Sequence, residues 1–102
     1  LTVTPKQLAG WNGVPATETT IYTVPASTTT IIKNIVMSNI NTADQTITIK
    51  VNAIPIIYQY TVKSKDTVVI DLSTVATAGS TFTAQAGAAT SIALIISGVE
   101  VS

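Results

Sequence analysis

Threonine, isoleucine and valine make up 44 of the 102 residues, at 19, 14 and 11 respectively. Their branched Cβ atoms restrict χ1 and crowd the preceding turn of a helix, but they stand without strain on a pleated sheet. A chain built this way is expected to fold as strands. Its clearest period is two: Ile47, Ile49, Val51 and Ala53 alternate with Thr46, Thr48, Lys50 and Asn52. That strand therefore has one core face and one wet face.

Two longer stretches, 29–38 and 90–101, break this simple alternation. The first sets Ile31, Ile35 and Met37 against Ile32 and Val36, and the second sets Ile92, Leu94 and Ile96 against Ala93, Ile95 and Val99. Apolar residues on both faces are the pattern expected of central strands covered on both sides. Further strands are expected over 20–24, 56–62, 67–72 and 81–86, separated by turn-forming residues at Pro25, Asn39 to Gln45, Lys63 to Asp66, and Gly79. Pro55 cannot donate to a ladder and marks an edge, a bulge or a strand boundary; Ser97-Gly98 marks a bulge or a close backbone approach. The expected fold is all-β, an antiparallel two-sheet β-sandwich or jelly roll of about seven to eight strands.

Residues 1–18 hold the single Trp together with Pro5, Gly13 and Pro15, and no period of 2 or 3.6 persists there. They are expected to form an extended N-terminal arm, with 19–102 as the sandwich domain. Thr4 and Pro5 suit the start of one helical turn through Ala9, and Asn12-Gly13 suits a turn. Leu8, Trp11 and Val14, apolar residues of that arm, are the expected partner-interface residues.

Composition narrows the function. A chain of this length buries roughly 60 to 70% of its unfolded surface and needs no staple, and with no cysteine it has neither disulfides nor thiolate sites. Charged residues are only 10%, against about 25% in an average protein, and five lysines balance five carboxylates with no arginine. Such a chain lacks the cationic patch that phosphate backbones and anionic membranes require. No apolar run reaches the ~20 residues of a membrane helix, and Leu1 to Pro5 carries no basic region leading into an apolar stretch, so no signal peptide is expected there.

Chemistry is equally constrained. Without histidine there is no imidazole base or ligand. Asp66 and Asp71, five apart on an expected strand, point to opposite faces and cannot flank one substrate. The five glycines are scattered and form no phosphate loop. Tyr22, Tyr58, Tyr60 and Phe82 are expected to serve packing before any stacking platform for a ligand. Lys33, Lys50, Asn34 and Asn52 are nominal partners for a lysine–asparagine isopeptide bond. No enzyme activity, cofactor, metal or small-molecule substrate is expected.

The runs Tyr22-Thr23-Val24-Pro25-Ala26, Thr30-Ile31-Ile32-Lys33-Asn34-Ile35-Val36 and Ser38-Asn39 resemble a group of small β-sandwich structural proteins of tailed bacteriophages. Thr61 to Val68 resembles their turn into the next strand, and Ser97-Gly98-Val99-Glu100 their closing segment. The likeness spans roughly residues 20 to 101. It departs at Ala78-Gly79, where Ser80 follows in place of the aspartate common in that group. The resemblance implies a virion protein assembled in the bacterial host cytoplasm, in the first place a capsid decoration or cement protein. Its partners would be the major capsid protein or other virion subunits, and it would be a homo-oligomer. A neck, tail or fibre component, including a module recognising a host-surface glycan, is the alternative it leaves open.

Overall fold

Asn52 and Ala53 make the tightest turn, and the topology unrolls from it. Both have positive φ, 51° and 63°, the mirror-image turn whose twist matches that of paired strands. They join β4 (Gln45–Val51) to β5 (Ile54–Val62). In the computed structural model, which describes all 102 residues, the pairing continues outward as in a long hairpin. β3 (Thr29–Asn39) pairs with β6 (Thr67–Ala76), β2 (Thr19–Thr23) with β7 (Thr81–Ala86), and β1 (Val3–Trp11) with β8 (Ile92–Val101), all antiparallel.

This ribbon is folded over itself. β3 also pairs with β8, and β4 with β7, which yields sheet A in the order β1-β8-β3-β6 and sheet B in the order β2-β7-β4-β5. Two four-stranded antiparallel sheets in this order form a jelly roll. The core between them is a single cluster of 19 buried apolar residues. Ile32, Ile35, Met37, Leu94 and Ile96 enter it from sheet A, and Ile47, Ile49, Val62 and Phe82 from sheet B. Each contributes roughly 1.5–3 kcal/mol by leaving water.

Residues 1–18 are not an arm apart from the sandwich. Val3–Trp11 is an edge strand with its full register on β8, not a helical turn, and Thr2 and Ser102 extend that pairing with backbone bonds of 2.6 and 2.9 Å. A bulge between Gln7 and Ala9 turns both Leu8 and Ala9 into the core, at 6% and 7% exposure. The chain then crosses to sheet B: the Val14 N–H donates to Ile92 O, and the carbonyls of Pro15 and Ala16 accept from Ala86 N and Gln85 Nε2. Edge pairing on one side only and the bulge remove the period of two, and the strand is hidden in the sequence for that reason.

Pro55 lies on β5, an edge of sheet B, as a residue without an N–H must. Gly98 sits where β8 slips by one residue against β3, beside the extra residue Lys33. A Cβ there would stand 2.1 Å from the carbonyl oxygen of Ile31 and 3.0 Å from Leu8 Cδ1. Two central strands would have to part to admit it. Gly98→Ala is therefore expected to cost about 1–3 kcal/mol, seen as a lower urea midpoint at unchanged slope; an unaltered midpoint would contradict the close approach.

Candidate contact surface

The two sheets turn different chemistry to water. On the outside of sheet B, Thr48 stands beside Gln85 and Lys50 beside Thr83, with Thr46 and Thr81 further along the same strands. Lys50 is paired to Glu18 at 2.9 Å. The two central strands are polar and mostly threonine on this side, while edge strand β5 exposes Ile54, Tyr58 and Tyr60. The outer face of sheet A carries two apolar strips set among polar residues. Its residues form cross-strand rows fixed by the register: Pro5–Val99–Ile31–Val75, and Gly10–Ile95–Val36–Val69. Between them run the polar row Gln7–Ser97–Asn34–Asp71 and the exposed Lys33 and Ser73, and beyond the second row Ser38 and Thr67 pair hydroxyl to hydroxyl at 3.0 Å.

Val75, Val69 and Ile95 are 60%, 57% and 45% exposed, and Ile31, Val36 and Val99 are half-buried. Val69 with Val36 and Ile95, and Val75 with Ile31 and Val99, make two apolar strips separated by polar residues, and such strips are candidates for contact with a partner. A shallow hollow of about 350 Å³ opens on this face, bordered by Gln7, Gly10, Val36, Ser38, Ala93 and Ile95, with Trp11 at its rim.

The expected interface residues are thus relocated. Leu8 and Val14, at 6% and 0% exposure, belong to the protein's own core and are not available to a partner. Trp11 is half-buried against that core and touches the new surface only at the hollow. The signal for the apolar rows is present in β3 and β8, whose two apolar faces suggested cover on both sides. β3 and β8 are central in sheet A, yet only the inner face of each is covered within the chain.

Other candidate residues stand apart. Asp66 lies in the turn before β6 and accepts from the Thr67 N–H at 2.9 Å, whereas Asp71 is within β6 opposite Asn34. Asn52 is engaged with Ser80 Oγ and the Thr81 N–H, and Lys50 with Glu18, while Lys33 and Asn34 are neighbours at the bulge of β3. Phe82 is fully buried with Tyr22 tilted against it at 5.1 Å between ring centroids. Tyr58 and Tyr60 are exposed on edge strand β5.

One polar cluster clasps the two sheets together. Tyr22, from sheet B, donates its hydroxyl proton to Glu100 on β8 and lies 2.9 Å from the hydroxyl of Thr30, a fully buried residue on β3. Lys6 on β1 reaches Glu100 at 3.4 Å. Burial, reinforced by the bond to Glu100, pushes the Tyr22 phenol up to about 12. The Tyr22 hydroxyl holds the Glu100 carboxyl below its ordinary value of 4.5; burial opposes this and Lys6 assists it.

The signs give opposite pH windows. The depressed Glu100 contributes stability that is present above pH 4.5 and is lost as pH falls through its lower folded value. The raised Tyr22 contributes stability that is present below pH 10.0 and is lost as pH rises toward about 12. Tyr22→Phe is expected to cost about 1–3 kcal/mol at neutral pH, because buried Thr30 loses its partner, and Glu100→Gln to flatten the acid limb of the urea midpoint. Wild-type pH dependence in both variants would refute the clasp. No protein-family model, curated protein or solved structure matches the chain.

Proposed function

We propose that the protein is a structural accessory subunit of a tailed-phage particle, a capsid decoration or cement protein that stabilises the head shell through protein–protein contacts. The observation that carries this reading is the pair of apolar cross-strand rows on the outside of sheet A, against the threonine-rich central strands of sheet B, in a chain of zero net charge. A protein that circulates alone gains nothing from an uncovered apolar sheet and risks aggregation by it. One that lives among many copies of itself and of a shell subunit uses such a face as its adhesive.

The strand motifs at residues 22–26, 30–36 and 97–100 add support through their resemblance to phage structural proteins. They do not distinguish the head from other parts of the particle, and a jelly roll by itself hosts many functions. The rigid sandwich and the interior clasp suit a subunit that bears load without changing shape.

A second reading, a tail or fibre module recognising a host-surface glycan, draws on Tyr58 and Tyr60, which are 66% and 42% exposed on the edge strand β5. Amphipathic rings at the surface are suited to stacking on sugar faces.

Copy number separates the two. Quantitative mass spectrometry of purified particles is expected to count the protein on the order of hundreds per particle, as closed symmetry over a shell requires. About a dozen or fewer, the copy number of a single-vertex part, would replace the head assignment with the neck, tail or fibre one. Absence from the particle would refute both.

A further inference from the structure

We infer that the outer face of sheet A is covered by the same face of a second copy, in a twofold dimer whose axis runs along the strands between the two sheets. This rests on reading that face as a contact surface, as above, and specifies its occupant.

The face is complementary to itself under that operation. A twofold axis parallel to the strands keeps each cross-strand row opposite the same row of the second copy and reverses the strand order. β1 then faces β6, and β8 faces β3. In the row Gly10–Ile95–Val36–Val69, the hollow beside Gly10 receives the exposed Val69 of the second copy. In the row Pro5–Val99–Ile31–Val75, Val99 meets Ile31 and Val75 meets Pro5. Each contact is made twice, as an isologous interface demands.

The polar row sets the orientation. It places the carboxamide of Gln7 opposite the carboxylate of Asp71, and Ser97 opposite Asn34. Gln7 can donate and Asp71 can only accept, so the ends of the row are matched donor to acceptor. The Gln7 amide lies over Gly10 within the protomer, where a Cβ would be 2.1 Å from its Nε2; turning toward Asp71 of the second copy clears the hollow that Val69 fills. Lys33 is exposed in the bulge beside Asn34. The other face-to-face axis, across the strands along the polar row, would set Asp71 against Asp71 and bring Pro5, not Val69, over the hollow. The row chemistry selects the first.

The area suffices. Four strands about 4.8 Å apart, each giving about eight residues at ~3.3 Å, present roughly 500 Å², so the pair buries about 1,000 Å², the size at which specific interfaces begin. Sheets packed in this way align within about 30°, close enough for the central rows to remain opposed.

Sedimentation of the full-length chain across a concentration series tests this. The wild type is expected to associate from monomer to dimer, and Val69→Lys to weaken that association by on the order of tenfold or more. Gln7→Glu, which sets a carboxylate against Asp71, is expected to weaken it similarly. Adding Asp71→Lys to Gln7→Glu is expected to restore dimerisation, which a general folding defect would not allow; circular dichroism confirms that each variant is folded. A wild type that stays monomeric at millimolar concentration, or a double variant no better than Gln7→Glu alone, would overturn the inference. Binding of the same variants to purified phage heads separates the two readings. A monomer that binds heads through the sheet A face loses the dimer and retains the proposed function, whereas a dimer absent from the particle retains the dimer and loses the function.

Discussion

Sheet A and sheet B meet through one face each, and the interdigitation of Ile32, Ile35, Met37, Leu94 and Ile96 with Ile47, Ile49, Val62 and Phe82 is the contact on which the rest of the molecule depends. In a two-layer sandwich every strand spends one side of its pleat on this core. What stands on the other side is then free of the folding requirement. Sheet B uses that freedom for threonines, the lysine–glutamate pair and solubility. Sheet A leaves it apolar, at Val69, Val75, Ile95 and their half-buried neighbours. The asymmetry has no role in holding the monomer together, which is the physical reason to look to it for function.

Much of the architecture follows from local chemistry that the sequence displays. The alternation of β4, the proline on edge strand β5 and the glycine at the β3–β8 approach each express a constraint felt within a few residues. Strand order does not. The pairing of first with last and second with seventh is set by how the ribbon folds over, and no local period encodes it. β1 was concealed for a related reason: its bulge sends Leu8 and Ala9 to the same side, and with a single neighbour it needs neither a two-sided apolar pattern nor strict alternation. Trp11, prominent in composition, drew attention to residues that belong to the core.

The contact surface was legible in part. Apolar residues on both faces of β3 and β8 were visible in the sequence, but their ordinary meaning is cover from both sides by the same chain. Here the outer side of both strands has no cover from the chain itself, and that is the ground for the proposal that a partner covers it. The rows themselves, and the polar row that divides them, required the register of four strands far apart in sequence. The clasp of Tyr22, Thr30, Glu100 and Lys6 was equally hidden, since it joins residues from four strands. It ties β2 of sheet B to β8 and β3 of sheet A near the ends of those strands, and so helps hold the layers in alignment.

The claim that carries the most weight is that the outer face of sheet A is the surface used in assembly. Side-chain hydroxyl-radical footprinting of the particle-bound protein, compared with the dilute chain, tests it most directly. Protection is expected at Ile31, Val36, Val69, Val75 and Ile95, with Tyr58 and Tyr60 still reactive. Unchanged labelling of the valine and isoleucine rows, with protection confined to the threonine face of sheet B or to the tyrosines of β5, would contradict it.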